Sequence, residues 1–526
     1  MGADAKFMKL QGASLQLAQT LLVVAPAFIL FGYNMSGIGG LLNLPSWVKQ
    51  FPEIDAVDAK GHEKFHKSTI QGTIVATFTL GALFGSLSCT WIGEPLGRRR
   101  IIFAGACLVA IGDALECSAL SLAQFTVGRV IIGWGIGLLS ATVPVWVSEC
   151  SSALNRGRHV VVVGLFMAAG MTICNWVNYG FYHMEHKIVA WKAPLGIPIF
   201  FALIIIFSVF FLPESPRWLV LKNRSDTARY VLASLKGLDI DSSEVLAEVN
   251  GIELSLEDTA SNAASLKDIF TMGEERLFYR FMLCMGLQFF QQMTGGTLIT
   301  VYIPIIFQDM KLSADLSKIL AASAMTWKFL SCFVAFFTID RFGRRIAFMV
   351  SGAGMSLCMV AMAVATSFTG NHSANIAAAF FVFLYLFFLP IGFLGANFLY
   401  TTEIAPGRLR VAMQSISTAN HWLWMFVVTM ITPVAVANIG YRYYIVYVVV
   451  GAIIPPVVYF YYPETMNRNL EQLDLIFREA PTIMSIVSMS KKLPQGEAEI
   501  GSSEKETEVF AEQVEKTEDV EDYNYS

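Results

Sequence analysis

LPESPRWL, at Leu212–Leu219, is repeated near the end of the hydrophobic part of the chain as YPETMNRNL, at Tyr462–Leu470. Other motifs recur in the same order, each after roughly 250 residues. They are Gly97-Arg98-Arg99 with Gly343-Arg344-Arg345, Glu149 with Glu403, and Arg156/Arg158 with Arg408/Arg410. Because a whole set of motifs recurs in register, the sequence predicts two copies of one fold, joined by a polar segment that begins at the first motif.

The composition places the chain in a membrane. Of its 526 residues, 55% are hydrophobic and only 15% are charged, and the mean hydropathy is +0.55. Soluble domains carry about 25% charged residues, and the apolar runs exceed the roughly 18 residues that mark a bilayer span. A soluble protein is therefore excluded. The eight cysteines lie in or beside these runs and are interpreted as packing residues rather than as disulfides.

The apolar runs predict twelve transmembrane helices, six on each side of the first motif. We place these spans at residues 20–42, 69–92, 101–119, 123–147, 160–181, 195–213, 278–306, 319–339, 346–367, 376–400, 411–436 and 444–462. The predicted fold class is an all-α membrane protein with two pseudo-symmetric six-helix bundles. The predicted segments are an N-terminus (1–19), a first bundle (20–213), a linker with short helices (214–276), a second bundle (277–463) and an acidic, mostly disordered tail (464–526).

Clusters of arginine follow predicted spans 2, 4, 8 and 10, which places all four of these loops on one side of the membrane. The positive-inside rule identifies that side as the cytoplasm, together with both termini and the linker. No basic region joined to a short apolar core and a cleavage site is found at the N-terminus, so the first span is expected to act as the insertion signal.

Each Gly-Arg-Arg motif lies where a predicted span meets the cytoplasm. Its glycine allows a tight turn, and its arginines can reach carboxylates that end neighbouring spans. We interpret these groups as ion-pair latches between helices, made in one conformation and broken in the other. The alternative is that the arginines only set topology, but the matched offsets of the carboxylates favour the latch. The candidate latch residues are Arg98, Arg99, Glu149, Arg156, Glu214, Arg344, Arg345, Glu403, Arg408 and Glu464.

Together these motifs resemble the sugar porter branch of the major facilitator superfamily, most closely its fungal members. The resemblance covers residues 20–475 and rests on Phe31-Gly32-Tyr33, Gly97-Arg98-Arg99, Arg129, Glu149, Arg156-Gly157, PESPRWL, Gln291-Gln292, DRFGRR, Glu403 with Arg408 and Arg410, and PETMNRNL. It implies two bundles that rock about a central site, which opens alternately to each side. It also implies a small-molecule substrate, mostly a hexose, pentose, disaccharide or polyol. We expect a monomer in the lipid bilayer of the plasma membrane.

The amides of predicted span 7 suit a hydroxyl-rich ligand, because each amide can both donate and accept hydrogen bonds. Gln288 shares one helix face with Gln292 and one with Gln291. Buried amides in a span are costly unless they are partnered, so a polar cavity is favoured over chance packing. The predicted substrate-binding residues are Gln288, Gln291, Gln292, Thr297, Lys328, Phe398, His421, Trp422 and Asn175.

Several positions depart from the family pattern. The family usually carries Asn where this chain has Thr297 and Gln where it has Gly164, and both amides of the fungal span 11 pattern are absent from His421–Met425. Lys328 lies well inside span 8, where the family places a ligand-contacting polar residue. An intramembrane ionisable residue is a functional candidate by default, although Lys328 could instead reach the interface or pair. If Lys328 and His421 face the cavity, they indicate an acidic or polyphenolic ligand, such as a sugar acid or a secondary metabolite.

Asn34 bears on proton coupling. Proton-driven relatives have Asp at this position, paired with the arginine that matches Arg129, whereas Asn34 cannot titrate and alone predicts facilitated diffusion. However, Asp113 and Glu116 share one face of span 3, and Glu116 can reach Arg129 across a short outer loop. Buried carboxylates beside an arginine are typical of proton relays, so a relocated proton site stays open, with protons as a second partner.

Enzyme signatures are absent from the sequence. Gly128–Gly137 resembles a nucleotide fingerprint only superficially, since no strand precedes it, and its small residues allow helices to pack closely. We expect no enzymatic activity, cofactor, metal site or nucleic-acid partner. The leading hypothesis is a carrier of a sugar or polyol. The alternatives are a carrier that imports or exports a non-sugar metabolite, and a nutrient sensor that does not transport.

Overall fold

The computed structural model describes residues 9–41, 44–54, 61–151, 156–260, 266–309, 313–368, 371–406, 409–466, 468 and 470–492. Regular structure in these residues is entirely helical. The first half consists of α1 (Gly12–Gln19), a π-helical turn (Thr20–Val24), α2 (Ala25–Ser36), α3 (Pro45–Gln50), α4 (Gly61–Leu96), α5 (Arg98–Cys117), α6 (Leu122–Cys150), α7 (Arg156–Tyr182), α8 (Val189–Gly196) and α9 (Pro198–Ser208). The linker contains α10 (Pro216–Leu221), α11 (Ser225–Lys236) and α12 (Ser243–Ala260).

The second half repeats this arrangement. It consists of α13 (Leu277–Met293), α14 (Gly296–Asp309), α15 (Ala314–Phe342), α16 (Arg344–Ser367), α17 (His372–Phe393), α18 (Ala396–Ile404), α19 (Arg410–Ile439) and α20 (Arg442–Tyr461). Two further helices follow, α21 (Leu470–Glu479) and α22 (Ile483–Lys492). α5 and α16 begin at the same end of the bundle, here called the latch end.

The described residues account for the twelve predicted spans. Ten helical segments among them are long and apolar enough to cross a membrane. The other two spans are α5, which carries two carboxylates besides its arginines, and the α13–α14 pair, which is interrupted. The all-α, twelve-helix fold class is therefore confirmed.

The helices differ from three of the predicted spans. The helical segment that contains the first span begins at Gly12, before the predicted residue 20, because α1 runs through the π-helical turn into α2. Span 7 is not continuous, since Gly295 has φ +95°, a left-handed conformation that ends α13. Span 10 is broken between α17 and α18, where Gly395 leaves the helical conformation with φ −174° and ψ −44°. A glycine inside an apolar run gives no signal that the helix stops there.

Glycines of α6 bring helices into close contact, as the sequence predicted. A Cβ added at Gly133 would lie 2.1 Å from the carbonyl oxygen of Phe78 on α4, and one added at Gly135 would lie 2.6 Å from that of Gly105 on α5. Only hydrogen fits at these two positions. The first half is thus built around α6.

The two halves pack along α4 with α19 and α7 with α15. On the latch side, a Cβ added at Gly164 of α7 would lie 1.9 Å from the carbonyl oxygen of Leu394. Toward the opposite end, one added at Gly39, just beyond α2, would lie 2.3 Å from that of Val301 on α14. The halves therefore touch on both sides of the middle of the bundle.

α11 and α12 lie in the segment for which short linker helices were predicted, while α21 and α22 were not predicted. α21 covers the latch end of α13: Arg280 forms an ion pair with Asp474, and its guanidinium carbon lies 4.1 Å from the centre of the Phe477 ring. Glu275 and Arg478 form a second ion pair, at 2.7 Å. Three predictions concern parts of the chain that the structure does not describe. They are the disorder of residues 495–526, the role of Arg408 and the contacts of the Arg156 side chain.

Candidate functional site

A cavity with about 340 Å³ of unfilled space lies in the middle of the bundle, beside the interruption between α13 and α14. Both halves contribute to its wall. It is lined by Phe31, Met35, Met167, Met171, Gln291, Gln292, Gly296, Thr297, Thr300, Lys328, Leu389, Leu394 and His421.

The interruption of span 7 presents polar side chains to this cavity. Gln291 and Gln292 lie in the last turn of α13, and Thr297 and Thr300 lie in the first turns of α14. The hydroxyl of Thr294, at the break, donates to the carbonyl oxygen of Gln291 at 3.1 Å, so a carbonyl freed at the helix end keeps a partner.

Hydrogen bonds fix the orientation of the amides. Gln291 Nε2 donates to the carbonyl oxygen of Phe393 at 2.7 Å, so Gln291 Oε1 must be the acceptor for Asn397 Nδ2 at 2.7 Å and for His421 Nδ1 at 2.8 Å. A neutral His421 therefore carries its proton on Nδ1. Its Nε2 then accepts from Gln292 Nε2 at 3.2 Å. These hydrogen bonds to the protein fix the orientation of the Gln291 and Gln292 amide groups.

Lys328 is buried in the cavity wall without a counter-charge. Its Nζ donates to the hydroxyl of Thr300 at 3.2 Å and contacts Met171 Sδ at 3.3 Å. No carboxylate of the described residues forms an ion pair with it. A buried ammonium in this setting favours a ligand that can supply negative charge or strong acceptors.

Aromatic side chains pack around Phe31 and His421 of the cavity wall. The Phe31 ring lies 4.8 Å from that of Trp422 and 6.3 Å from that of His421, and the Phe398 ring lies 5.4 Å from His421. Trp422 Nε1 donates to the hydroxyl of Ser140 on α6 at 3.3 Å. Trp422 thereby joins the two halves behind the Phe31 ring.

Five of the predicted substrate-binding residues line the cavity: Gln291, Gln292, Thr297, Lys328 and His421. The other four are not among the described lining residues. They lie one layer back: Gln288 accepts from Asn397 at 3.0 Å, Asn175 donates to the carbonyl oxygen of Met171 at 2.8 Å, and Phe398 and Trp422 pack as above.

Sequence reasoning missed Asn397, which joins Gln288 to Gln291, and it did not assign a role to Phe31, Thr300 or Met171. The available signal for Asn397 was a lone amide inside an apolar span. Thr300 and Met171 carry no such signal, because hydroxyls and thioethers are ordinary inside membrane helices.

A second buried polar group lies where α2, α5 and α6 meet. Asp113 and Glu116 are fully buried, and Glu116 Oε1 lies 3.6 Å from Arg129 Nε, which is the predicted contact. Arg129 also donates to the backbone oxygen of Asn34 at 3.4 Å, and its guanidinium carbon lies 4.7 Å from the centre of the Phe78 ring. Arg129 thus forms an ion pair with Glu116, whereas Asp113 forms none among the described residues.

The Gly-Arg-Arg motif of the first half forms two different contacts. Arg98 donates to both carboxylate oxygens of Glu149, at 2.8 and 2.9 Å. Glu214 instead accepts from the backbone N–H groups of Arg98 and Arg99, both at 3.2 Å, and so caps the start of α5. Burial raises the pKa of Glu214 from its ordinary value, while these N–H bonds and the neighbouring arginines oppose that effect.

The second half repeats this division of contacts, although Arg344 binds one oxygen of Glu403 and Thr465 donates to the other. Arg344 donates to Glu403 at 3.1 Å, while Glu464 accepts from the backbone N–H groups of Arg344 and Arg345 at 2.9 and 3.1 Å. Gly97 and Gly343, with φ +81° and +86°, turn the chain into these caps. Both arginine–glutamate pairs lie within a half rather than between the halves.

A sequence model described as sugar (and other) transporter matches residues 20–477. The chain belongs to this family.

Related sequences and solved structures match almost the whole length of this chain. The major facilitator superfamily transporter mfsA of Aspergillus fumigatus is 34% identical over 90% of this chain and 88% of its own length. The sugar transporter STL1 of Saccharomyces cerevisiae is 33% identical over 86% and 80%. The solved structure of the proton:xylose symporter XylE from E. coli superposes with a TM-score of 0.78 at 21% identity, over 89% of this chain and 100% of that one. At this identity the likeness establishes the fold.

Proposed function

We propose that this protein is a secondary transporter that moves a sugar, whether hexose, pentose, disaccharide or polyol, across a membrane by alternating access. The observation that carries the proposal is the central cavity, which amides and hydroxyls from an interrupted helix line together with the Phe31 ring. The family and the sugar transporter STL1 support this reading.

The cavity supplies the chemistry that a polyhydroxylated ligand needs. Each sugar hydroxyl both donates and accepts. Gln291 and Gln292 are held by hydrogen bonds to the protein, and each keeps one Nε2–H that can donate to a sugar hydroxyl, while Gln292 Oε1 keeps one lone pair that can accept. Thr297 and Thr300 add hydroxyls that can rotate toward the ligand, and Phe31 offers a ring against which the apolar face of a sugar can lie.

The latches are proposed to stabilise the conformation described here. The Arg98–Glu149 and Arg344–Glu403 pairs each hold neighbouring helices of one half together at the latch end. We assign that end to the cytoplasm, with both termini, because the arginine-rich loops lie there. The transporter is proposed to work as a monomer in the plasma membrane.

Uptake measurements in yeast that lack their own hexose carriers test the transport function. Radiolabelled D-glucose, D-xylose, maltose and D-mannitol are supplied to cells expressing the chain, a Gln292→Leu variant, or a Gln50→Leu control far from the cavity. Saturable uptake that falls in Gln292→Leu and persists in Gln50→Leu is expected. Absence of uptake of every compound by surface-expressed protein would overturn the sugar proposal.

Lys328 favours a second candidate substrate class, an acidic sugar or a related carboxylate. The unpaired ammonium lies in the wall of the cavity, where a carboxylate would complete its charge balance. Competition of D-gluconate against neutral sugar uptake separates the two candidates, since only an acidic-substrate site prefers the carboxylate.

A further inference from the structure

The group formed by Asp113, Glu116 and Arg129, here called the acid cluster, has an unbalanced charge. When both carboxyls are ionised, one buried guanidinium faces two buried negative charges. An uncompensated charge inside a membrane protein is costly, and one bound proton removes it.

No other described cation corrects this balance. From α2, the cluster is faced by Asn34 and by Tyr33, whose hydroxyl donates to the Pro194 carbonyl at 2.7 Å. Cys174 of α7 lies near Arg129, and Cys117 follows Glu116 on α5 itself.

The remaining described neighbours form no ion pair with the carboxyl groups of the cluster either. Lys192 of α8 lies near Cys117, with its ammonium 5.2 Å from the centre of the Trp191 ring. α9 contains no titratable residue, and α4 contributes the Phe78 ring, which covers Arg129.

The two carboxyls are not equivalent. Glu116 is the ion-pair partner of Arg129. The Asn34 amide faces Asp113, but Asp113 forms no ion pair among the described residues, and none of the four oxygens of the two carboxyls has a donor at hydrogen-bonding geometry there. An ionised carboxylate needs such donors. Only the charge of Glu116 is balanced by direct contact with Arg129. Asp113 is therefore the group better suited to carry the proton.

We propose that the acid cluster is a proton-binding site, with Asp113 as the acceptor, and that a proton bound there is carried together with the substrate. In each cycle the Asp113 carboxylate takes up one proton on one side of the membrane and releases it on the other. No bond of the substrate is made or broken. This inference rests on the proposed transport function and assigns its driving ion.

α2 connects the acid cluster to the cavity. Phe31 and Met35 line the cavity from one face of α2, and Asn34 lies between them in sequence, against Arg129 and Asp113. Protonation that changes the contacts of Asn34 acts on the helix that forms the cavity wall. Because Asn34 itself cannot titrate, the acid on α5 takes the place of an acid on α2.

Proton movement is measured on the purified chain in liposomes that contain a pH-sensitive dye. D-glucose, D-xylose, D-mannitol or D-gluconate is added outside, and tracer exchange of the same compound is recorded in parallel. In the unmodified chain, we expect the lumen to acidify as the compound enters. Asp113→Asn and Glu116→Gln each leave one acid for one arginine, so both should abolish acidification while tracer exchange continues.

The control variant is Glu63→Gln, which removes an exposed carboxylate of a surface ion pair with Lys67. It should acidify the lumen like the unmodified chain. Entry of a compound without acidification would overturn the inference, and so would acidification that persists in both cluster variants.

Infrared spectra of the purified protein give a readout that needs no substrate. A carbonyl band of a protonated carboxyl group is expected in the unmodified chain and in Glu63→Gln, and its loss is expected in Asp113→Asn. Absence of the band from the unmodified chain overturns the proton site. If no compound is exchanged but the band behaves as expected, the transport proposal fails while the proton site stands.

Discussion

Gly164 of α7 lies directly against the carbonyl oxygen of Leu394, so that a Cβ atom added at Gly164 would be 1.9 Å from that oxygen. Leu394 lies at the break between α17 and α18 and lines the cavity. The glycine therefore allows the two halves to meet on the latch side of the site. The family usually carries a glutamine at this position, which this close approach would exclude.

Gly164→Ala should destabilise the conformation in which α7 contacts Leu394. The added methyl group must separate α7 from the α17–α18 break, and overpacking of this kind typically costs about 1–3 kcal/mol. We expect a lower initial rate of uptake at equal surface expression. Gly180→Ala is the matched control on the same helix, because nothing lies within 4 Å of a Cβ added there. Equal rates for the two variants would contradict the argument.

Glu149→Gln should destabilise the protein through Arg98. This substitution keeps the shape of the side chain but leaves the buried guanidinium without its counter-charge, and breaking a buried ion pair costs about 3–5 kcal/mol. Glu403→Gln should act in the same way on Arg344. Thermal unfolding of the purified variants in detergent measures the effect, with Glu63→Gln as the exposed control. A melting temperature equal to that of the unmodified chain would show that the ion pair does not contribute to the stability of the fold.

The repeated motifs made the duplication and the latch residues predictable. They did not predict which donor atoms each carboxylate contacts. Glu214 and Glu464 were identified from their matching offsets, yet they accept backbone N–H groups, whereas Glu149 and Glu403 bind the arginine side chains. Sequence spacing fixes where a carboxylate lies along the chain. It does not fix which of two neighbouring donors the carboxylate faces.

The same distinction holds in the cavity. Gln291 and Gln292 were predictable, because amides at helical spacing inside an apolar run indicate a polar site. The interruption at Gly295, which turns Thr297 and Thr300 toward the cavity, was not, since glycine is common in continuous membrane helices. Gln288, which was predicted to bind the substrate, is not among the described residues that line the cavity and accepts a hydrogen bond from Asn397.

Lys328→Met should separate acidic from neutral substrates. A hydrogen bond between an ammonium and a carboxylate contributes about 1.5–3 kcal/mol, which corresponds to about a 10- to 150-fold change in affinity. If the second candidate class is correct, competition by D-gluconate should weaken by this factor while neutral sugar uptake remains. Lys318→Met is the control on the same helix, since its ammonium lies 3.5 Å from the centre of the Tyr182 ring, outside the cavity. Unchanged competition by D-gluconate in Lys328→Met would exclude the acidic class.

The helices after the second bundle should be required for stability, in contrast to the residues that follow them. A chain that ends at Lys492 keeps α21 and α22, whereas one that ends at Arg468 leaves the fully buried Arg280 without Asp474 and Phe477. We expect the longer chain to match the full protein in melting temperature and uptake, and the shorter one to lose surface expression.

Asp474→Asn tests the ion pair of Arg280 without removing a helix. It should lower the melting temperature, because a buried guanidinium loses its counter-charge. Asp241→Asn breaks the exposed pair with Arg229 and should have almost no effect, since surface pairs contribute about 0–1 kcal/mol. If both variants have the melting temperature of the unmodified chain, α21 is held by its apolar contacts alone. The shorter truncation would then be unstable because it lacks Phe477, not because it lacks Asp474.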